Sequence, residues 1–318
     1  MQLNEILKAF GHDEKISKKI LIIGGTGFIG YHIAKKAIKK KWKVTSISTN
    51  KPKKIRAINK VKYLICDISK KNKIKRTLKN LSFDYVINLG GYVNHAEKRK
   101  TYLSHFIGFK NLIEYFDKLN IKAFVQAGSS VEYGFNKAPQ NEKMTFRINK
   151  TTSVYGKSKI LSSNLGLKKF KNSNFPITIV RFYLVFGPRQ DKNRFIPIII
   201  NGCLKNKKFN CSSGKQLRDF IYIDDVVSAI FKILNKKKAR GEIFNLGSGK
   251  PKKLKNIIEF IKNYLKLGNP QYGLIRLRKD EPLKLYPSIR KAKKFLSWKP
   301  QINFFTGLKK TIKYYQNG

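Results

Sequence analysis

Acidic side chains are scarce in this chain. Its 318 residues carry 18 Asp and Glu against 69 Lys and Arg, a formal charge of +51. Cysteine is scarce too: Cys66, Cys203 and Cys211 are odd in number and scattered, with no CxxC and no nearby His. That spacing argues against a structural metal or a disulfide framework and fits a reducing cytoplasm. No run of about 18 uncharged apolar residues occurs, so no membrane-spanning helix is expected. The opening MQLNEILKAFGHDEK lacks the apolar core and small-residue cleavage site of a secretory signal.

The basic excess admits three classes of partner: nucleic acid, an anionic membrane surface, or polyanionic small substrates. Lysine is spread over the whole chain rather than gathered in one segment. Lys, Asn and Ile are over-used together, as codon bias in an AT-rich genome produces. Basic patches interleaved with stacking aromatics, which single-stranded nucleic acid requires, are not evident. The charge therefore reads as composition, and no nucleic-acid partner is expected.

What the chain does contain is a strand, a glycine turn and a helix in immediate succession. Ile20 to Ile23 form an uninterrupted apolar run, as a buried parallel strand does. Gly24, Gly25, Gly27 and Gly30 follow, and then Ile29, Ile33, Ala34, Ala37 and Ile38 recur at helical spacing. Gly25, Gly27 and Gly30 fit GxGxxG, and Gly24, Gly27 and Gly30 fit the wider GxxGxxG. A turn free of Cβ atoms lets a pyrophosphate approach the backbone, and the helix N-terminus offers it free N–H groups. The plainer alternative is a tight turn without a ligand.

Short apolar strands then alternate with helices. Strands are expected at 44–47, 63–66, 85–89 and 123–127, with helices over 70–81 and 103–119. This order predicts a doubly wound parallel α/β sheet with right-handed crossovers and ligands at the strands' C-terminal ends. Beyond about residue 188 the alternation loosens into amphipathic pieces at 196–204, 226–234, 254–265 and 308–315, with last strands at 177–181 and 244–246. The expected organisation is a lead-in over 1–18, a dinucleotide-binding unit over 19–187 and a smaller lobe, mostly 188–318.

Tyr155-Gly156-Lys157-Ser158-Lys159 is a YxxxK pattern. On a helix, positions four apart share a face, which puts Lys159 beside Tyr155. A phenol titrating near 10 is a poor base at neutral pH, but an adjacent ammonium favours its phenolate. Ser129 follows a predicted strand end, where its hydroxyl can donate to the same substrate oxygen. YxxxK alone is also a common surface pair, above all in a Lys-rich chain.

With these residues in hand, the sequence resembles the extended short-chain dehydrogenase/reductase family, whose nucleotide-sugar branch holds epimerases, dehydratases and reductases. The resemblance runs through GGTGFIG (24–30), CDI (66–68), GSSVEYG (128–134), YGKSK (155–159), RFYLVFGPRQ (181–190), RDFIYIDDV (218–226), FNLGSG (244–249) and KAKKFLSWKP (291–300). It implies a Rossmann-type sheet with a smaller C-terminal substrate-binding lobe. It implies that Gly24, Gly27 and Gly30, with the Phe28 and Ile29 amides, hold the pyrophosphate of NAD(H) or NADP(H). Asp67 and Ile68 would border the adenine, and Ser48 would stand at the adenosine ribose. Ser129, Tyr155 and Lys159 would form the catalytic set, Lys159 also holding the nicotinamide ribose. Ser129 would also touch the substrate, and Arg218 and Arg278 would grip its diphosphate, where a guanidinium fork suits paired phosphate oxygens. Asp224 would sit in a motif that helps order the small lobe, and pairing into a homodimer through the YxxxK helix is expected. No metal is implied.

Four departures sharpen the reading. Ser48 stands where the second strand usually ends in an acid that binds the ribose hydroxyls. Leu184 replaces a substrate-binding Asn, and Gly90-Gly91 replaces a pair of small residues after the fourth strand. Dehydratases carry two carboxyls directly after the catalytic hydroxyl. Here those places hold Ser130 and Val131, and Glu132, one place later, should point elsewhere. The expected activity is therefore hydride transfer on a nucleotide sugar, as a 4-keto-sugar reductase or a 4-epimerase. The alternative of a different kind is a non-catalytic nucleic-acid- or partner-binding protein on the same fold.

Overall fold

The computed structural model describes residues 17–144, 153–276 and 282–317. From the first of these the chain alternates strand and helix: β1 (Lys19–Ile23), α1 (Phe28–Lys39), β2 (Lys43–Ser48), β3 (Val61–Ile65), α2 (Lys71–Leu78) and β4 (Tyr85–Asn88). Next come α3 (Lys98–Tyr102), a π-helical turn (Leu103–Ile107), α4 (Gly108–Phe116), β5 (Ala123–Ser129), α5 (Val154–Ser173) and β6 (Ile177–Phe182).

The rest of the chain is built from shorter pieces. These are β7 (Leu184–Phe186), α6 (Phe195–Leu204), β8 (Lys208–Asn210), β9 (Leu217–Arg218), β10 (Phe220–Tyr222) and α7 (Ile223–Leu234). They continue with β11 (Ile243–Leu246), β12 (Lys252–Lys253), α8 (Leu254–Leu265), β13 (Asn269–Gln271), β14 (Lys284–Leu285), α9 (Arg290–Leu296) and α10 (Phe304–Gln316).

Seven strands form one parallel sheet in the order β3-β2-β1-β4-β5-β6-β11. The order reverses between β1 and β4, where a doubly wound sheet opens a crevice at its carboxyl edge. The alternation of side chains along each strand explains the apolar runs. Ile20 and Ile22 of β1 face one core, built with Phe28, Ile33, Ala34 and Ala37 of α1 and the apolar side of α7. Leu21 and Ile23 face the other, with Ile74 and Leu78 of α2 and Phe109, Leu112, Ile113 and Phe116 of α4. A strand buried on both faces has no polar position to spare.

The bounds of several expected elements shift. The third strand spans 61–65 rather than 63–66, and Cys66 is a buried free thiol just beyond it. The helix expected at 103–119 begins five residues earlier and carries the π-helical turn within it. Among the described residues the small lobe adds three minor sheets: β7 with β10, β9 between β12 and β14, and β8 with β13. No described helix is long and apolar enough to cross a membrane.

Candidate active site

The carboxyl ends of β1, β2, β4 and β5 converge with the first turn of α5. At β1 the glycine turn is as tight as its composition requires. Gly24 has φ +77, and a Cβ there would lie 3.1 Å from the Leu89 backbone. Gly30, already inside α1, packs its Cα against the turn: a Cβ would come within 2.4 Å of Gly24 O and 2.6 Å of Gly25 Cα. Gly27 is the N-cap of α1 and supplies no side-chain cap, and the first turn holds no acidic residue. The amides of Phe28, Ile29 and Gly30 are thus left to an outside acceptor, which suits a pyrophosphate. These residues fit a dinucleotide.

Ser48 ends β2. Its hydroxyl donates to Ile47 O at 2.8 Å and accepts from Thr26 Oγ1 at 3.0 Å. It ties the strand end to the glycine turn and leaves no carboxylate at that edge. Lys51, Lys53 and Lys54 beyond it are exposed. Arg56, by contrast, is buried, paired with Asp191 at 2.6 Å and donating to Arg189 O at 3.0 Å. Asp67 follows β3 and accepts from both the amide and the hydroxyl of Ser69, while Ile68 is buried beneath Gly90 and Gly108.

Ser129 is the last residue of β5 and Tyr155 the second of α5. Ser153 caps α5 by accepting from the Gly156 amide at 3.0 Å. Burial raises the Tyr155 phenol above its ordinary value, and a hydrogen bond with Ser129 works against that rise. Lys159 lies on the same helical face, its Nζ 5.8 Å from the Tyr155 ring centroid, and donates to Ala127 O at 2.6 Å. The direct partner of the phenol is therefore Ser129, with the lysine one step removed. Lys159 is 4% exposed, and burial lowers it to about 8.

Two histidines that lie outside every sequence motif also reach this tyrosine. His95 stacks on the Tyr155 ring at 3.8 Å between centroids and 11° between planes. His105 meets it edge-on at 4.9 Å. The π-helical turn carries His105, whose Nε2 pairs with Tyr92 O at 3.2 Å. Burial, reinforced by the Lys159 charge, pushes this imidazole down to about 2. The glycine pair after β4 now has a cause: a Cβ on Gly91 would lie 1.9 Å from the His105 ring.

Glu132 points away from the cleft, as expected. It is 2% exposed, behind Ser129, and pairs with Arg181. In the small lobe Arg218 is buried and donates through Nη1 to Leu217 O and Leu283 O. Arg278 lies outside the described residues. Leu184 is 39% exposed on β7, an apolar side chain where an amide was expected. In the motif that carries Asp224, the aspartate engaged with the rest of the chain is its neighbour Asp225. Asp224 is exposed, whereas Asp225 is buried and accepts from the Gln301 and Ile302 amides at 2.8 and 3.0 Å. Asp219, fully buried, clamps the following glycine turn by accepting from Ser248 N, Ser248 Oγ and Lys250 N.

A parallel sheet of this order with such a turn after its first strand defines a Rossmann-type, dinucleotide-binding class of protein. A family model described as the NAD dependent epimerase/dehydratase family matches residues 20–247, and the chain belongs to that family, on the nucleotide-sugar branch of the extended short-chain dehydrogenases. It is 27% identical over 312 residues to a UDP-glucuronate 4-epimerase of Thermodesulfobacterium geofontis, covering 92% of this chain and 95% of that protein. It is 26% identical over 306 residues to a CDP-abequose synthase of Salmonella muenchen, covering 93% and 98%. The crystal structure of UDP-glucose 4-epimerase with UDP-glucose from Thermotoga maritima superposes with a TM-score of 0.88 at 25% identity, over 94% of this chain and 99% of that one.

Proposed function

We propose that the protein is an NAD(P)-dependent oxidoreductase that reduces a 4-keto deoxysugar nucleotide. The observation carrying this reading is the meeting of Ser129 and Tyr155 at the end of β5, with Lys159 on the same helix face. The Ser129 hydroxyl fixes the carbonyl oxygen, and Tyr155 gives it a proton. Reduced nicotinamide, when bound, supplies the hydride to the sugar carbon. Burial lowers Lys159 from its ordinary value to about 8. Its charge favours the phenolate left behind. Gly24, Gly27, Phe28, Ile29 and Gly30 hold the pyrophosphate, Asp67 and Ile68 border the adenine, and Lys159 takes the nicotinamide ribose. Arg218 and Arg278 would grip the substrate diphosphate, with the substrate lobe drawn mostly from residues 188–318. The working unit is a homodimer.

Ser48 supports reduction over epimerisation. An epimerase retains its cofactor through turnover, and a carboxylate on the ribose hydroxyls strengthens that grip. Here the strand-end hydroxyl is engaged with Ile47 O and Thr26, which suits a cofactor that exchanges. The same lack of a carboxylate leaves nothing to repel a 2′-phosphate, and Lys51, Lys53 and Lys54 stand close by. NADPH is therefore expected to bind at least as well as NADH. Two relatives named as 4-epimerases support the second reading, a nucleotide-sugar 4-epimerase. Water elimination lacks its acid, since Ser130 and Val131 hold the two places and Glu132 is turned away.

Stoichiometry separates the readings. Given NADPH and a 4-keto-6-deoxy nucleotide sugar, the reductase oxidises one cofactor per sugar, and calorimetric titration shows NADPH binding no weaker than NADH. Interconversion of UDP-glucose and UDP-galactose without added cofactor or net absorbance change would establish the epimerase instead.

A further inference from the structure

Glu132 does more than avoid the cleft. Its Oε1 accepts from the Ser129 amide at 2.8 Å. Its Oε2 accepts from Ser163 Oγ at 2.7 Å and from Arg181 Nε at 2.9 Å. Ser129 ends β5, Ser163 lies on α5 two turns beyond Tyr155, and Arg181 is on β6. One carboxylate thus joins the strand bearing the serine to the helix bearing the tyrosine. The neighbourhood is shaped to admit it. A Cβ on Gly128 would lie 2.6 Å from Glu132 Oε1, and the Arg181 guanidinium sits 4.7 Å from the Tyr133 ring, whose hydroxyl donates to Asn245.

Stability is a poor explanation for this ion pair. Both side chains are 0% exposed, and desolvating two charges commonly costs as much as their attraction returns, so apolar replacements are often no worse. What an apolar pair cannot do is accept the Ser129 amide with one oxygen and hold α5 with the other. We propose that Glu132 is a positioning residue for the reaction, fixing Ser129 and Tyr155 at the mutual geometry that proton transfer requires. It acts through Ser129 and never touches substrate. This inference rests on the catalytic roles proposed above for Ser129 and Tyr155.

The test is a double-mutant cycle in whichever assay above shows turnover, with Glu132→Gln, Ser129→Ala and the pair. Glu132→Gln is expected to lower kcat about tenfold, with KM and cofactor affinity within about twofold, because a sub-ångström misplacement acts on the chemical step. In the Ser129→Ala background the same change should cost less than about twofold, since the group it positions is gone. Losses that simply multiply would overturn the inference. Should Glu132→Gln fail to fold, Ser163→Ala removes only the link to α5; a loss in kcat of a few-fold supports the proposal, and unchanged kcat refutes it. If Ser129→Ala alone leaves turnover intact, or the wild-type chain turns over neither substrate, the catalytic assignment itself has failed, and this inference with it.

Discussion

A single methyl group at position 30 tests the glycine turn as a cofactor cradle. Gly30→Ala would put Cβ 2.4 Å from Gly24 O and 2.6 Å from Gly25 Cα. Both neighbours are backbone and cannot swing aside as a side chain does. Ordinary contact begins at about 3.4 Å, so the N-terminus of α1 must retreat from the turn by roughly 1 Å. Overpacking of this kind costs about 1–3 kcal/mol, and the helix propensity of Ala returns up to about 1 kcal/mol. A thermal shift of only a few degrees is therefore expected in the apoprotein. The larger effect falls on binding. The same retreat pulls the Phe28, Ile29 and Gly30 amides from where a pyrophosphate would rest, and Kd for NADPH should rise about tenfold or more. Isothermal titration of the folded variant measures this. A Kd within twofold of wild type would show that no pyrophosphate sits against this turn.

Two further predictions concern buried titratable groups. Lys159 titrates near 8 in the fold against 10.5 for a free lysine. Between these values the unfolded chain holds more protons, so this group costs stability below about pH 8, and the cost is relieved as pH rises toward 10.5. Lys159→Met should therefore raise the apoprotein Tm at pH 7 while lowering turnover by about 10²-fold; a lower Tm would contradict the burial argument. His105 stays neutral down to about 2 in the fold against 6.5 free. The unfolded chain again holds more protons in that window, so stability is lost as pH falls below about 6.5. His105→Phe keeps an aromatic edge toward Tyr155 and should flatten the fall in Tm between pH 6.5 and 5; an unchanged slope refutes the assignment.

The centre of the sheet was legible because β1, β4, β5 and β11 are buried on both faces, whereas the edge strand β3 is half-exposed. Ile20 to Ile23 and Ala123 to Ala127 leave no other reading of so apolar a run beside a glycine turn. Tyr155, Lys159 and Ser129 were legible because helix spacing and a strand end place them without any knowledge of packing. The π-helical turn was not: one extra residue in a helix leaves the apolar period of Phe109, Leu112, Ile113 and Phe116 untouched, and only the packed structure shows His105 turned onto Tyr155. Strands of two or three residues, such as β9 and β14, are too short to carry a period, so the small lobe read only as loose helices. In the adjacent pair Asp224-Asp225 the sequence offers two equal carboxylates, and only burial distinguishes the one that holds Gln301 and Ile302. Gly91 was a signal that could have been used, since a glycine outside any turn motif marks a close approach, here of the His105 ring.

If the Tyr155 phenol moves the substrate proton, its removal must slow turnover. Tyr155→Phe removes one oxygen and leaves the ring between His95 and His105. Steady-state turnover of the variant, folded and loaded with cofactor, on the substrate that the wild-type chain consumes is the direct measurement. A fall in kcat of about 10²-fold or more with cofactor affinity unchanged is expected; retention of most of the wild-type kcat would show that the phenol is not the proton donor.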